Sequence, residues 1–194
     1  SRFYRLSEKL ITMSAIDPQQ YKQDAEVLHS KQAVSSAILS IATALNADYQ
    51  GHTPTVLSVM TGAAYLTGQL LPHLTFPLTL DYVHATRYQG GMEGKTVSWI
   101  VKPKVEISNQ SVLILDDVLD EGVTLKAIVD ACQALGAKQV KVAVLVDKAL
   151  NKTKPIQADY VGISVVNRYI FGCGMDINGW WRNLPAIYAV KTVG

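Results

Sequence analysis

The run VLILDDVLDEGVT at residues 112–124 decides the fold. Four consecutive apolar residues lead into Asp116 and Asp117, and a short turn, Asp120-Glu121-Gly122, follows before Val123 and Thr124. Beyond it Leu125, Ile128, Val129, Cys132 and Leu135 recur at helical spacing, with Gly136 as a stop signal. An unbroken apolar strand is one covered on both faces, and a strand that turns into an amphipathic helix is a unit of a parallel α/β sheet. Ligands of such sheets sit at the carboxyl ends of the strands, where this turn lies.

The rest of the chain repeats the pattern. Residues 55–60, 78–85, 112–115, 140–146, 160–165 and 186–190 read as strands, being short and rich in β-branched residues. Val34, Ala37, Ile38, Ile41 and Leu45 form one face of a helix over 34–48. The expectation is a single α/β domain over 1–194, with a mainly parallel, twisted sheet flanked by helices and joined by right-handed crossovers. Two stretches fall outside the pattern. YQGGMEGK at 88–95 is expected to be a mobile loop, and GCGMDINGWWRNLP at 172–185 to be irregular.

Composition narrows the function. The chain has 194 residues, 48% of them hydrophobic, and its 18 basic and 16 acidic residues give a net charge of +2. That balance offers no field for extended nucleic-acid binding, so any phosphate chemistry is local. Cys132 and Cys173 have no metal-type spacing, and a reducing cytoplasm suits them better than a disulfide framework. No apolar stretch nears the roughly 20 residues that span a bilayer, and the first residues do not read as an export signal.

Residues 121–124 would point backbone N–H groups outward at a helix start, with Gly122 allowing close approach and the Thr124 hydroxyl adding a donor: a cradle for one phosphate. Three carboxylates beside it would repel that phosphate, so Asp116 and Asp117 should face sugar hydroxyls or Mg²⁺. A ribose phosphate answers both demands. The plainer alternative is a turn with an N-cap. Neither a Walker lysine motif nor a GxGxxG fingerprint is present.

The strand, acidic pair and Gly/Thr loop resemble the signature of the type I phosphoribosyltransferases, and from about residue 25 onward the chain is similar to the hypoxanthine-guanine branch. The resemblance implies a small hood built from about 1–30 and 167–194. It places the phosphoribosyl group on Asp116, Asp117, Asp120, Glu121, Gly122, Val123 and Thr124, although Glu121 and Val123 depart from the usual residues. Pyrophosphate falls to Thr61, Gly62 and Arg182, with a cis peptide expected between Thr61 and Gly62. Lys148, Tyr169, Ile170 and Asp176 take the purine; Asp176, with Asp116 and Asp117, takes Mg²⁺.

The implied reaction is purine salvage, in which hypoxanthine or guanine and phosphoribosyl pyrophosphate give IMP or GMP and pyrophosphate. Asp120 would act as general base, Lys148 would polarise the 6-oxo group, and Arg87 and Tyr88 would close over the site. The partners implied are these substrates and the nucleotide product, without nucleic acid or membrane, in a cytoplasmic homodimer or homotetramer. Three other readings compete: an enzyme preferring xanthine, a regulator that binds the same ligand, and a carboxylate hydrolase. Only about 30 residues precede the first core helix, too few for a helix-turn-helix domain with its own core. The hydrolase reading leaves the Gly/Thr loop unexplained.

Overall fold

The computed structural model describes residues 17–87 and 97–191. Six strands form the main sheet: β2 (Thr55–Val59), β3 (Thr79–Arg87), β4 (Val97–Val101), β5 (Ser111–Leu119), β6 (Gln139–Ala149) and β7 (Tyr160–Val166). Their order is β4-β3-β2-β5-β6-β7, with β5 near the centre. All neighbours are parallel except β4, which returns antiparallel along β3 at the edge.

Strand periodicity separates two cores. On β5, Leu113 and Leu115 face a cluster with Val34, Ile38, Ile41 and Leu45 of helix α2 (Lys31–Asp48), joined by Leu66 and Leu70 of α3 (Ala64–Leu70). Val112 and Ile114 face the other way, onto Leu125, Ile128, Val129 and Cys132 of α4 (Val123–Ala134). Alternate residues of one strand thus serve opposite layers, which is why the run at 112–115 is apolar throughout.

A second, small sheet has the order β1-β9-β8, all antiparallel: β1 (Ala25–His29), β8 (Ile170–Phe171) and β9 (Ile187–Val190). Its core is Tyr21 of α1 (Pro18–Gln23) with Phe171, Ile177 and Leu184. Trp181 belongs there too, its indole N–H donating to Pro18 O at 2.6 Å.

The structure differs from the sequence expectation in several elements. Helices α1 and α3 and strands β1, β4 and β8 are short, two to seven residues each, too brief to declare a period. Strand β5 runs on to Leu119, so Asp116 and Asp117 lie inside it rather than beyond its end. Pairing with β6 continues that far, Leu119 lying opposite Asp147, and this outweighs the low strand preference of aspartate. The Gly-rich stretch at 88–95 lies outside the described residues. Among the described residues, no helix is long and apolar enough to cross a membrane.

Candidate active site

Two adjoining clefts open where β5 gives way to α4. The first, of about 420 Å³, is lined by Asp116 and by 118–125. Its floor is the start of α4, whose N-cap is Gly122 at φ 79°. Glycine has no side chain with which to cap the first-turn N–H groups, and the earliest helical bond is Lys126 N to Gly122 O at 2.9 Å. The N–H groups of Val123, Thr124 and Leu125 precede that bond, so they and the positive end of the helix dipole face the cleft. An anion is the natural partner of this arrangement.

The second cleft, of about 200 Å³, gathers Asp117, Val118, Asp120, Lys148, Tyr169, Ile170, Met175 and Asp176. Val118 and Asp120 line both clefts, so the two are continuous at the end of β5. Lys148, on β6, donates to Asp120 Oδ2 at 2.8 Å; the lysine is 12% exposed and the aspartate 47%. Tyr169 is 55% exposed, and its hydroxyl donates to Asp176 O at 3.4 Å. Ile170 is buried in β8 opposite Ala189.

Asp176 is itself engaged. Arg182 Nη2 lies 3.1 Å from its Oδ1, and the Gly179 N–H donates to its Oδ2 at 2.7 Å. The same guanidinium donates through Nη1 to Gly174 O at 2.6 Å, which holds the segment 174–182 closed on itself. Asp116 Oδ1 accepts from Asp117 N at 2.9 Å and Asp117 Oδ1 from Val118 N at 2.7 Å. Burial, then the neighbouring Asp117 charge, pushes the Asp116 carboxyl well above the usual carboxylate range. Burial raises Asp117 as well, against the pull of Asp116, the Val118 N–H and Arg182.

The turn after β2 closes the far side. A Cβ built on Gly62 would stand 2.2 Å from Asp117 Oδ2, so this glycine lets the turn touch the acidic pair. Gly174, at φ +97°, backs onto the same turn, where an added Cβ would meet Gly62 O at 2.1 Å. The cis peptide joins Met60 to Thr61, not Thr61 to Gly62 as the resemblance suggested. Exposed Thr61 accepts from Ala64 N at 3.2 Å.

Comparison with known proteins fits this geometry. A family model described as the phosphoribosyl transferase domain matches residues 24–178. The chain belongs to that family, a family of transferases. It is 32% identical over 166 residues to the hypoxanthine-guanine-xanthine phosphoribosyltransferase of Tritrichomonas foetus, covering 85% of this chain and 91% of that one. It is 33% identical over 167 residues, 86% of its length, to the bifunctional protein TilS/HprT of Listeria innocua, and there it spans only 26% of the relative. Among solved structures, a hypoxanthine phosphoribosyltransferase from Staphylococcus aureus superposes with a TM-score of 0.81 at 29% identity, covering 88% of this chain and 94% of that one. The fold is that of the type I phosphoribosyltransferases.

Most residues singled out in the sequence line the two clefts; the exceptions are informative. Arg87 ends β3 opposite Val97, and Tyr88 lies outside the described residues. Asp116 lines one cleft while Asp117 and Asp176 line the other, and among the described residues no three acidic, His or Cys side chains form a metal cluster. The three aspartates expected from the resemblance are thus spread over two clefts that meet at Val118 and Asp120. Met175, Gly174 and Lys152 escaped the sequence reading, although the positive φ of Gly174 is of a kind that a GCG run can signal.

Proposed function

We propose that this chain joins a 6-oxopurine, hypoxanthine or guanine, to the ribose of phosphoribosyl pyrophosphate and releases pyrophosphate. The observation that carries the reading is the continuity of the two clefts: an uncapped helix start in one, Lys148, Tyr169 and Asp176 in the other, with Asp120 between them. The N–H groups at the start of α4 and the Thr124 hydroxyl hold the 5′-phosphate. Asp116 and Asp117 accept from the ribose hydroxyls, which places the anomeric carbon near Asp120.

As purine N9 bonds to that carbon and pyrophosphate leaves, the proton on N7 passes to Asp120. Lys148 donates to the 6-oxo group, and an ammonium with three donors can do so without releasing Asp120. Tyr169 supplies an exposed ring for stacking, and the main chain at Ile170 meets the base edge. Arg182 and the turn at Thr61 and Gly62 face the pyrophosphate, and closure by Arg87 and Tyr88 excludes water that would hydrolyse the ribose. Mg²⁺ suits a donor set of one or two carboxylates completed by substrate oxygens, which Asp117 and Asp176 match, and it would neutralise charge on the leaving group.

The test is nucleotide formation with phosphoribosyl pyrophosphate, Mg²⁺ and hypoxanthine, guanine, xanthine or adenine in turn. Xanthine belongs in the panel because the name of the T. foetus relative includes it. Turnover with the 6-oxopurines and little with adenine is expected; no nucleotide from any base would sink the reading.

A further inference from the structure

Glu121 places a carboxylate on the wall of the phosphate cleft, where like charge opposes an incoming phosphate. Its partner is Lys152, on the segment between β6 and β7, whose ammonium donates to Glu121 Oε1. The lysine is 57% exposed and the glutamate 58%, and a pair so open to solvent adds little to stability. Its effect lies in the charge it leaves at the cleft.

The segment carrying Lys152 is clamped to the phosphate turn. Lys154, only 12% exposed, donates to Leu119 O at 2.8 Å and to Asp147 Oδ1 at 2.5 Å, which ties the segment to the ends of β5 and β6. Ile156 and Pro155 lie under Gly122, where an added Cβ would come within 3.1 Å of Ile156 Cγ2 and 3.6 Å of Pro155 Cδ. Packing thus delivers Lys152 to the one carboxylate of the turn that has neither sugar nor base to face.

We propose that Lys152 is a positioning residue for phosphoribosyl binding, which neutralises Glu121 so that the pair sets the charge of the cradle rim. The proposal rests on the first cleft being the 5′-phosphate site. It gives the two single substitutions opposite signs. Without Lys152, the bare Glu121 carboxylate repels the phosphate; without Glu121, the released ammonium attracts it. Removing both returns the rim to net neutrality.

The experiment compares wild type, Lys152→Met, Glu121→Gln and the double variant, reading KM for phosphoribosyl pyrophosphate against kcat, and calorimetric affinity for ribose 5-phosphate. Lys152→Met should raise KM and weaken ribose 5-phosphate about fivefold, with kcat much less affected; Glu121→Gln should move both constants the other way, and the double variant should return near wild type. Both shifts should shrink with added KCl. Single substitutions that weaken binding alike, a double variant with additive losses, or a wild type that does not bind ribose 5-phosphate would overturn the proposal. A wild type that binds ribose 5-phosphate with these signs yet forms no nucleotide would refute the enzyme reading alone.

Discussion

Lys148 Nζ lies 2.8 Å from Asp120 Oδ2, so two groups expected to work on the same purine ring are ion-paired to each other in the protein itself. The lysine is mostly buried, and the pair fixes both side chains at the junction of the two clefts. Under the proposed function, a base entering there would meet a donor and an acceptor already in place, which would reduce the ordering cost of the reaction.

Asp120→Asn keeps the shape and removes the proton acceptor. If the carboxylate takes the N7 proton, kcat should fall about 100-fold or more, within the range of general base catalysis. KM for phosphoribosyl pyrophosphate should change little. Affinity for the base should change little, because Lys148 still has a donor for the 6-oxo group. Steady-state kinetics with hypoxanthine separates these quantities, and an unchanged kcat would remove Asp120 from the role.

How much of this was legible in the sequence follows from the range of each interaction. The run at 112–124 holds its strand, turn and helix within 13 consecutive residues, and its apolar pattern states both covered faces directly. The ion pairs are different. Asp120 and Lys148 stand 28 positions apart and Glu121 and Lys152 stand 31 apart, joined only because β5 and β6 are neighbours in register. No local period reports such a meeting. The small sheet was legible only in part: the strand expected at 186–190 is β9, whereas β1 and β8, of five and two residues, are too short to declare a period, and β8 falls within a segment read for its aromatic residue.

Gly62 and Gly174 meet across the site, and substitutions there should separate function from stability. In Gly62→Ala the new methyl would displace the Asp117 carboxylate, since it would otherwise stand 2.2 Å from Oδ2. A misplaced carboxylate should lower kcat/KM about 100-fold with a small change in Tm. Gly174→Ala combines a φ of +97° with a methyl 2.1 Å from a backbone oxygen, which cannot rotate away. It should cost about 1–3 kcal/mol in urea unfolding. Equal stability for Gly174→Ala and wild type would mean that the two segments are less tightly joined than described.

Asp81 gives the fold a defined response to acid. It lies in β3 beside Leu57 of β2, and its carboxylate accepts from Tyr82 N at 2.8 Å, Lys104 N at 2.6 Å and Val105 N at 3.1 Å, which anchors the chain between β4 and β5. Burial alone would raise its pKa, but the three backbone donors and the Lys104 charge outweigh it and hold the carboxyl below its ordinary value of 3.8. With the folded value depressed, the unfolded chain takes up the proton first. The stabilisation is therefore complete well above pH 3.8 and is lost as pH falls through the folded value. Asp81→Ala should cost about 1–3 kcal/mol at pH 7, because three part-buried backbone N–H groups lose a charged acceptor. Asp81→Asn mimics the protonated acid, so its deficit against wild type should be greatest at neutral pH and shrink as the pH drops below 3.8. Urea unfolding of both proteins between pH 3 and 7 reads this directly, and a deficit independent of pH would show that the carboxylate charge contributes nothing to the anchor.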